Sequence, residues 1–142
     1  MKKEIGFTLI EMMIVVALIA VLAAISIPMY LRARINTYES NAIGALRTIS
    51  AAEATYHNGH KVYAVMSELA SSTPPYIDAE LASGSKHGYV FAISNVGDDT
   101  FQCTATPTRY RKTGVNGFYV DETYVIRKDP IGTATVNSPP VD

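Results

Sequence analysis

From Phe7 to Ile27 the chain reads FTLIEMMIVVALIAVLAAISI, twenty-one residues with a single charge, Glu11. As a helix rising ~1.5 Å per residue this stretch spans roughly 31 Å, about the hydrocarbon thickness of a bilayer. A carboxylate at the bilayer centre costs about 2.5–3.5 kcal/mol. Glu11 lies in the second turn, close to an interface, which relieves part of that cost but leaves its presence to be explained.

The residues alone leave three readings open. A cleaved secretory signal needs a basic start, an apolar run of about 7–15 residues and a small-x-small cleavage site. Lys2 and Lys3 supply the start and Met12–Ile25 the run, but Glu11 breaks its beginning and AAISIPMY is a poor cleavage site. A plain membrane anchor fits the length better. Its orientation is undecided by flanking charge, because Lys2 and Lys3 on one side balance Arg32 and Arg34 on the other.

The third reading rests on KKEIGFTLIE, residues 2–11. It resembles the processing site of type IV pilins and of the pseudopilins of type II secretion: a basic leader, Gly before the cut, Phe after it, and Glu four residues beyond Phe. The resemblance implies cleavage between Gly6 and Phe7 by a prepilin peptidase that also methylates the new Phe7 amine, with residues 1–6 as the leader. Glu11 then becomes an assembly residue that pairs with the Phe7 amine of a neighbouring subunit, since a carboxylate packed among apolar helices needs a cationic partner. The positive end of the helix dipole adds a smaller term. The further partners implied are copies of the chain itself in a helical filament, an inner-membrane assembly platform with its ATPase, and minor pilins.

Pro28 removes a backbone hydrogen bond and is expected to kink or locally melt the helix, allowing it to bend on packing. Beyond it Leu31, Ile35, Tyr38, Ala42, Ala45, Ile49, Ala52 and Tyr56 recur at spacings of four and three, with Arg32, Asn36, Glu39, Ser40, Arg47, Thr48 and Glu53 between them. This pattern predicts one amphipathic helix to about His57, ended by Asn58-Gly59 with Gly59 as the left-handed cap residue. Residues 59–88 read as a connecting region with a short helical turn at Met66–Leu69. Strands are expected at Tyr89–Ser94 and Phe101–Thr106, then at Phe118–Val120 and Tyr124–Arg127, with an irregular tail from Asp129. The fold class is α+β: a long N-terminal helix, apolar in residues 7–28 and amphipathic in 29–58, packed on a three- or four-stranded antiparallel meander. Residues 29–142 form one globular domain, consistent with a length of 142. The segment from Tyr89 to Arg127 resembles the C-terminal sheet of single-domain pilin-like proteins.

No catalytic constellation is present. There is no Gly-rich phosphate loop and no serine-nucleophile signature, and no cofactor is implied. Cys103 is the single cysteine, so no intramolecular disulfide forms; its alternation with Phe101 predicts a buried thiol. His57 and His60 lack a third ligand at useful spacing. Asp98-Asp99 and Asp121-Glu122 are candidate Ca²⁺ ligands only if their loops converge. The chain lacks the cysteine pair of several pilins, and Asp129-Pro130-Ile131-Gly132 only faintly echoes the aspartate-proline step of major pseudopilins. Twelve basic against thirteen acidic residues, a net charge of −1, give no bulk case for nucleic acid. Arg109, Tyr110, Arg111 and Lys112 form one basic–aromatic patch, which leaves a nucleic-acid or anionic-surface contact open beside the plainer readings of a solvated loop or an intersubunit ion-pair site. The function expected is a structural, non-enzymatic pilus subunit, held in the inner membrane before assembly and in an extracellular or periplasmic filament after it. The alternatives are a type II secretion pseudopilin and a monomeric membrane-tethered binding domain.

Overall fold

A computed structural model describes residues 6–130 and 133–141. Lys2 and Lys3 of the leader, and Ile131-Gly132 of the aspartate-proline step, lie outside the described residues. The chain divides into two compact units, one ending at Arg34 and one beginning at Ile35. Helix α1, Leu9–His60, contributes to both.

In the first unit every described residue is exposed except the half-buried Ala23. Leu9, Ile10, Met13, Val16, Ile19, Val21, Leu22, Ile25 and Ile27 all stand more than half exposed. Pro28 lies inside α1. Its missing N–H leaves the Ala24 carbonyl without the usual donor four residues on.

In the second unit α1 buries one stripe, Ala42, Ala45, Leu46, Ile49, Ser50, Ala52 and Glu53. The connection carries two short helices, α2 (Met66–Ser71) and α3 (Ala79–Ala82). Five strands follow: β1 (Ser85–Lys86), β2 (Tyr89–Ser94), β3 (Gln102–Pro107), β4 (Gly117–Asp121) and β5 (Arg127–Asp129). They form an antiparallel meander in sequence order, β1-β2-β3-β4-β5. Tyr89, Phe91, Cys103, Ala105, Phe118 and Val120 turn into the core that α1 covers, joined by Leu69, Ile77, Leu81 and Phe101. Each large apolar side chain buried there contributes about 1.5–3 kcal/mol. Burial pushes the Cys103 thiol up to about 12, with the nearby Glu53 adding to the shift. It is an inert core thiol.

Several expectations shift. The sheet has five strands, because Gly84 and Gly88, both at positive φ, turn the chain tightly enough for Ser85 and Lys86 to pair with β2. α3 exists because Asp78 caps it, accepting from Leu81 N–H at 2.9 Å, and Asp78 also pairs with Lys86. The last strand is Arg127–Asp129, not Tyr124–Arg127. Asp121 accepts hydrogen bonds from both the N–H and hydroxyl of Thr123, and this turn places Tyr124 in the left-handed region at φ 59°. The tail is pinned in part: Lys128 N–H donates to Pro139 O and Val141 N–H to Ile126 O, at 2.9 and 2.8 Å. α1 passes Gly59 and ends at His60, with Lys61 as the left-handed cap at φ 63° donating to His57 O at 2.8 Å. The extra turn is held by His60 stacked on Tyr56 at 4.1 Å and His57 stacked on Tyr63 at 4.4 Å.

Glu53, which the periodicity places on the polar face, is fully buried. It lies four residues from Ile49 and seven from Leu46, at the centre of the stripe. One carboxylate oxygen accepts Ala64 N–H at 2.9 Å; the other has no partner. Desolvation pushes its pKa up to about 7 from an ordinary 4.5. The folded state therefore holds a proton that the unfolded chain releases between those values, so this contribution is whole below pH 4.5 and lost as pH rises through 7. The loss amounts to up to about 3 kcal/mol. In Glu53→Gln this contribution should be absent across the same pH range. Thermal unfolding of the detergent-solubilised chain should show the wild type losing stability from pH 5 to 8 relative to the variant. Parallel curves would contradict this assignment.

Candidate functional site

The N-terminal segment carries the candidate residues Gly6, Phe7, Glu11 and Pro28. Its first turn is built by a reciprocal pair that the periodicity did not reveal. Thr8 N–H donates to Glu11 Oε2 at 2.7 Å, the Thr8 hydroxyl donates to the same oxygen at 2.7 Å, and Glu11 N–H donates back to Thr8 Oγ1 at 3.3 Å. Thr8 is thus the N-cap and Glu11 the third helical residue of a capping box. The signal was in the sequence: Thr8-Leu9-Ile10-Glu11 is the [ST]-x-x-[DE] pattern before an apolar run. Glu11 therefore has partners inside its own chain, and it satisfies donors that the start of a helix otherwise leaves open. None of these three bonds uses Oε1.

Phe7 is 86% exposed. A Cβ added at Gly6 would meet nothing within 4 Å. The chain's own packing does not require glycine there.

The remaining candidates do not form one site. Arg109, Tyr110, Arg111 and Lys112 are all exposed on the β3–β4 turn. The Arg111 guanidinium lies 5.9 Å from the Tyr110 ring centroid. Asp98 and Asp99 are exposed on the β2–β3 turn, and Glu122 is exposed after β4, while Asp121 is buried. Among the described residues no three His, Cys, Asp or Glu side chains are grouped to hold a metal ion. His57 and His60 are occupied locally, with His57 Nε2 2.9 Å from Asp98 O and His60 Nδ1 3.1 Å from Tyr56 O. Glu39, another residue placed on the polar face, binds the β3–β4 turn. Its carboxylate accepts the N–H groups of Val115 and Asn116 at 2.8 and 3.0 Å and the Asn116 side chain at 2.7 Å.

Residues 1–27 match the prokaryotic N-terminal methylation motif. The chain is 31% identical over 125 residues to a fimbrial protein of Pseudomonas aeruginosa, covering 82% of this chain and 77% of that one. It is 30% identical over 135 residues to the type IV wide pilus major component of Thermus thermophilus, covering 92% and 97%. It is 32% identical over 84 residues to the type IV major pilin protein of Myxococcus xanthus, covering 59% and 35%. The chain belongs to the type IV pilin family. As a pilin it is a structural subunit, and its exposed apolar helix with the Thr8–Glu11 box is the part that the methylation motif covers.

The box and the proposed intersubunit pair make different demands on Thr8. Thr8→Val removes the hydroxyl but keeps the shape and Glu11. It should weaken the helix start by about 1 kcal/mol. Hydrogen exchange at the amides of residues 9–12 in detergent micelles should quicken about fivefold, while apolar-core amides from residue 16 onward stay unchanged. Unchanged exchange at residues 9–12 would show that the box does not hold this turn.

Proposed function

We propose that this pilin is the polymerising subunit of a type IV pilus or related filament. It is made with leader 1–6, cut between Gly6 and Phe7 and methylated on the new amine. Before assembly it is held in the inner membrane by residues 7–28, with the globular part outside the cytoplasm. In the filament, copies pack through that same segment. Glu11 meets the Phe7 amine of a neighbour, and Pro28 lets the helix bend or locally melt.

The observation that carries this reading is the uncovered apolar surface of residues 7–31, on a chain whose second unit already has an apolar core of its own. Lipid can cover such a surface before assembly and neighbouring copies after it. Processing at Gly6 is supported by the open space around it: if glycine is required, the requirement comes from an approaching protease and not from internal packing. The Glu11 pair is supported by chemistry. Thr8 engages Oε2 alone in the bonds described, so Oε1 can take a further donor. A terminal amine in a low-dielectric bundle is costly by several kcal/mol unless a carboxylate meets it. The relatives named above as pilus components support the same assembly.

Sheared surface filaments should contain this chain as a main subunit beginning at Phe7. Gly6→Val should leave a precursor six residues longer in the membrane and no filaments. Mass spectrometry that finds a mature Phe7 terminus in that variant would contradict the processing reading. Filaments confined to the periplasm would assign the chain to a secretion pseudopilus instead.

A further inference from the structure

The turns of a meander fall alternately at its two ends. Ser94 pairs with Gln102 and Gln102 with Asp121, so the β2–β3 turn (95–101) and the β4–β5 turn (122–126) share one end. Tyr89 pairs with Pro107, and β4 starts at Gly117 beside Asp129, so the β3–β4 turn (108–116) lies at the other. Six-residue strands at ~3.4 Å per residue set the two ends about 20 Å apart.

The two ends carry opposite charge. At the first, Asp98, Asp99 and Glu122 are exposed. Lys61 adds one positive charge on the segment that Tyr63 N–H ties to Gly97 O at 3.1 Å. At the other, Arg109, Arg111 and Lys112 are exposed, and none is ion-paired among the described residues. Lys128 and Asp129, at the end of β5, offset one another in formal charge. The Glu39 carboxylate, which accepts the N–H groups of Val115 and Asn116 in the same turn, offsets one of the three cations, leaving the end net positive. The basic turn is held in shape. Arg109 O accepts the N–H groups of Lys112 and Thr113, and Arg111, at φ 62°, donates to Gly114 O at 2.8 Å. Gly114 is required, because a Cβ there would come within 1.9 Å of the Tyr89 hydroxyl, which donates to Asn116 O. Three cations thus stand on a fixed turn.

We infer that the 109–112 turn of one subunit docks against the Asp98, Asp99 and Glu122 end of a second copy of this chain. The inference rests on the filament reading above. A contact between two unlike patches at opposite ends of one body is heterologous: wherever its rotation does not close a ring, it propagates into an open helical array. Nucleic acid fits the same turn less well. Three cations release few counterions, with a log–log salt slope of only about 3, and a chain of net charge −1 does not attract a polyanion as a whole. Such an exposed contact is screened beyond about 8 Å at physiological salt, so it sets orientation and register more than cohesion.

Charge reversal in the full chain tests this. Arg109→Glu with Arg111→Glu and Lys112→Glu should cut sheared filament yield by about tenfold, with the membrane level unchanged, since like charges then face each other. Adding Asp98→Lys, Asp99→Lys and Glu122→Lys exchanges the two ends and should restore filaments, which a merely structural role of the turn would not allow. Independently, Arg111→Cys with Asp98→Cys in a Cys103→Ala background should give a ladder of covalent multimers with a short thiol cross-linker. Neither single cysteine should do so. Normal filament yield from the reversed basic turn, or no ladder from intact filaments, would overturn the contact. Normal filaments that lose binding of a duplex DNA probe would assign the turn to nucleic acid and overturn it as well. If the unaltered chain builds no filaments at all, the filament reading fails and this contact with it.

Discussion

The structure depends on an apolar surface that its own chain does not cover. From Leu9 to Leu31 the side chains of α1 meet no core of their own, whereas from Ala42 onward one face of the same helix is sealed by the meander. A soluble fold cannot tolerate the first arrangement, because apolar area left in water costs roughly 25 cal/mol per Å². Lipid or a bundle of identical helices removes that cost. The two environments differ in what they do with charge. Hydrocarbon offers a carboxylate nothing, while a bundle in the proposed register would bring each Glu11 within reach of other chain starts. Both the proposed membrane-held precursor and the proposed filament rest on this one uncovered surface.

Polar groups set the details that burial cannot. Thr8 and Glu11 fix where the apolar helix begins. Glu39 ties α1 to the β3–β4 turn through three hydrogen bonds, and Glu53 ties it to the connection through Ala64 N–H. Each carboxylate answers backbone donors that would otherwise be open, and donors of that kind are expensive to bury unpaired. With no disulfide to close the tail, the bonds from Lys128 and Val141 to residues 139 and 126 hold it beside β5. Hydrogen bonds do here what covalent closure does elsewhere.

Much of this was legible in the sequence. The apolar run, the amphipathic stripe and the alternation at Tyr89–Ser94 and Gln102–Thr106 are periodic signals, and periodicity reports faces directly. The buried Cys103 followed from its register with Phe101. Glu53 was misplaced because a pattern search treats Glu as a solvent marker, although its spacing from Leu46 and Ile49 puts it in the stripe. Lys61 ends α1 because His60 stacks on Tyr56 within the last turn and Tyr63, beyond the helix, stacks on His57, and the usual reading of Asn-Gly as a stop contains neither contact. β1 and α3 are too short for any period and exist through a cap and two left-handed glycines. At the functional segment, Glu11 stood out by its charge. Thr8 did not, because a lone threonine beside a membrane run carries no contrast, and only the pairing at three residues' distance gives it meaning.

The central claim is that Glu11 serves assembly in addition to capping its own helix. Counting filaments made by Glu11→Ala tests it most directly, with membrane level and Phe7 processing measured in the same cells. Removing the one charge from a twenty-one-residue apolar run should leave insertion as good or better. Filament number should fall steeply, because the Phe7 amine of each neighbour loses its carboxylate in a low-dielectric core. A processed, membrane-held variant that still builds filaments in normal number would reduce Glu11 to a cap and contradict the account.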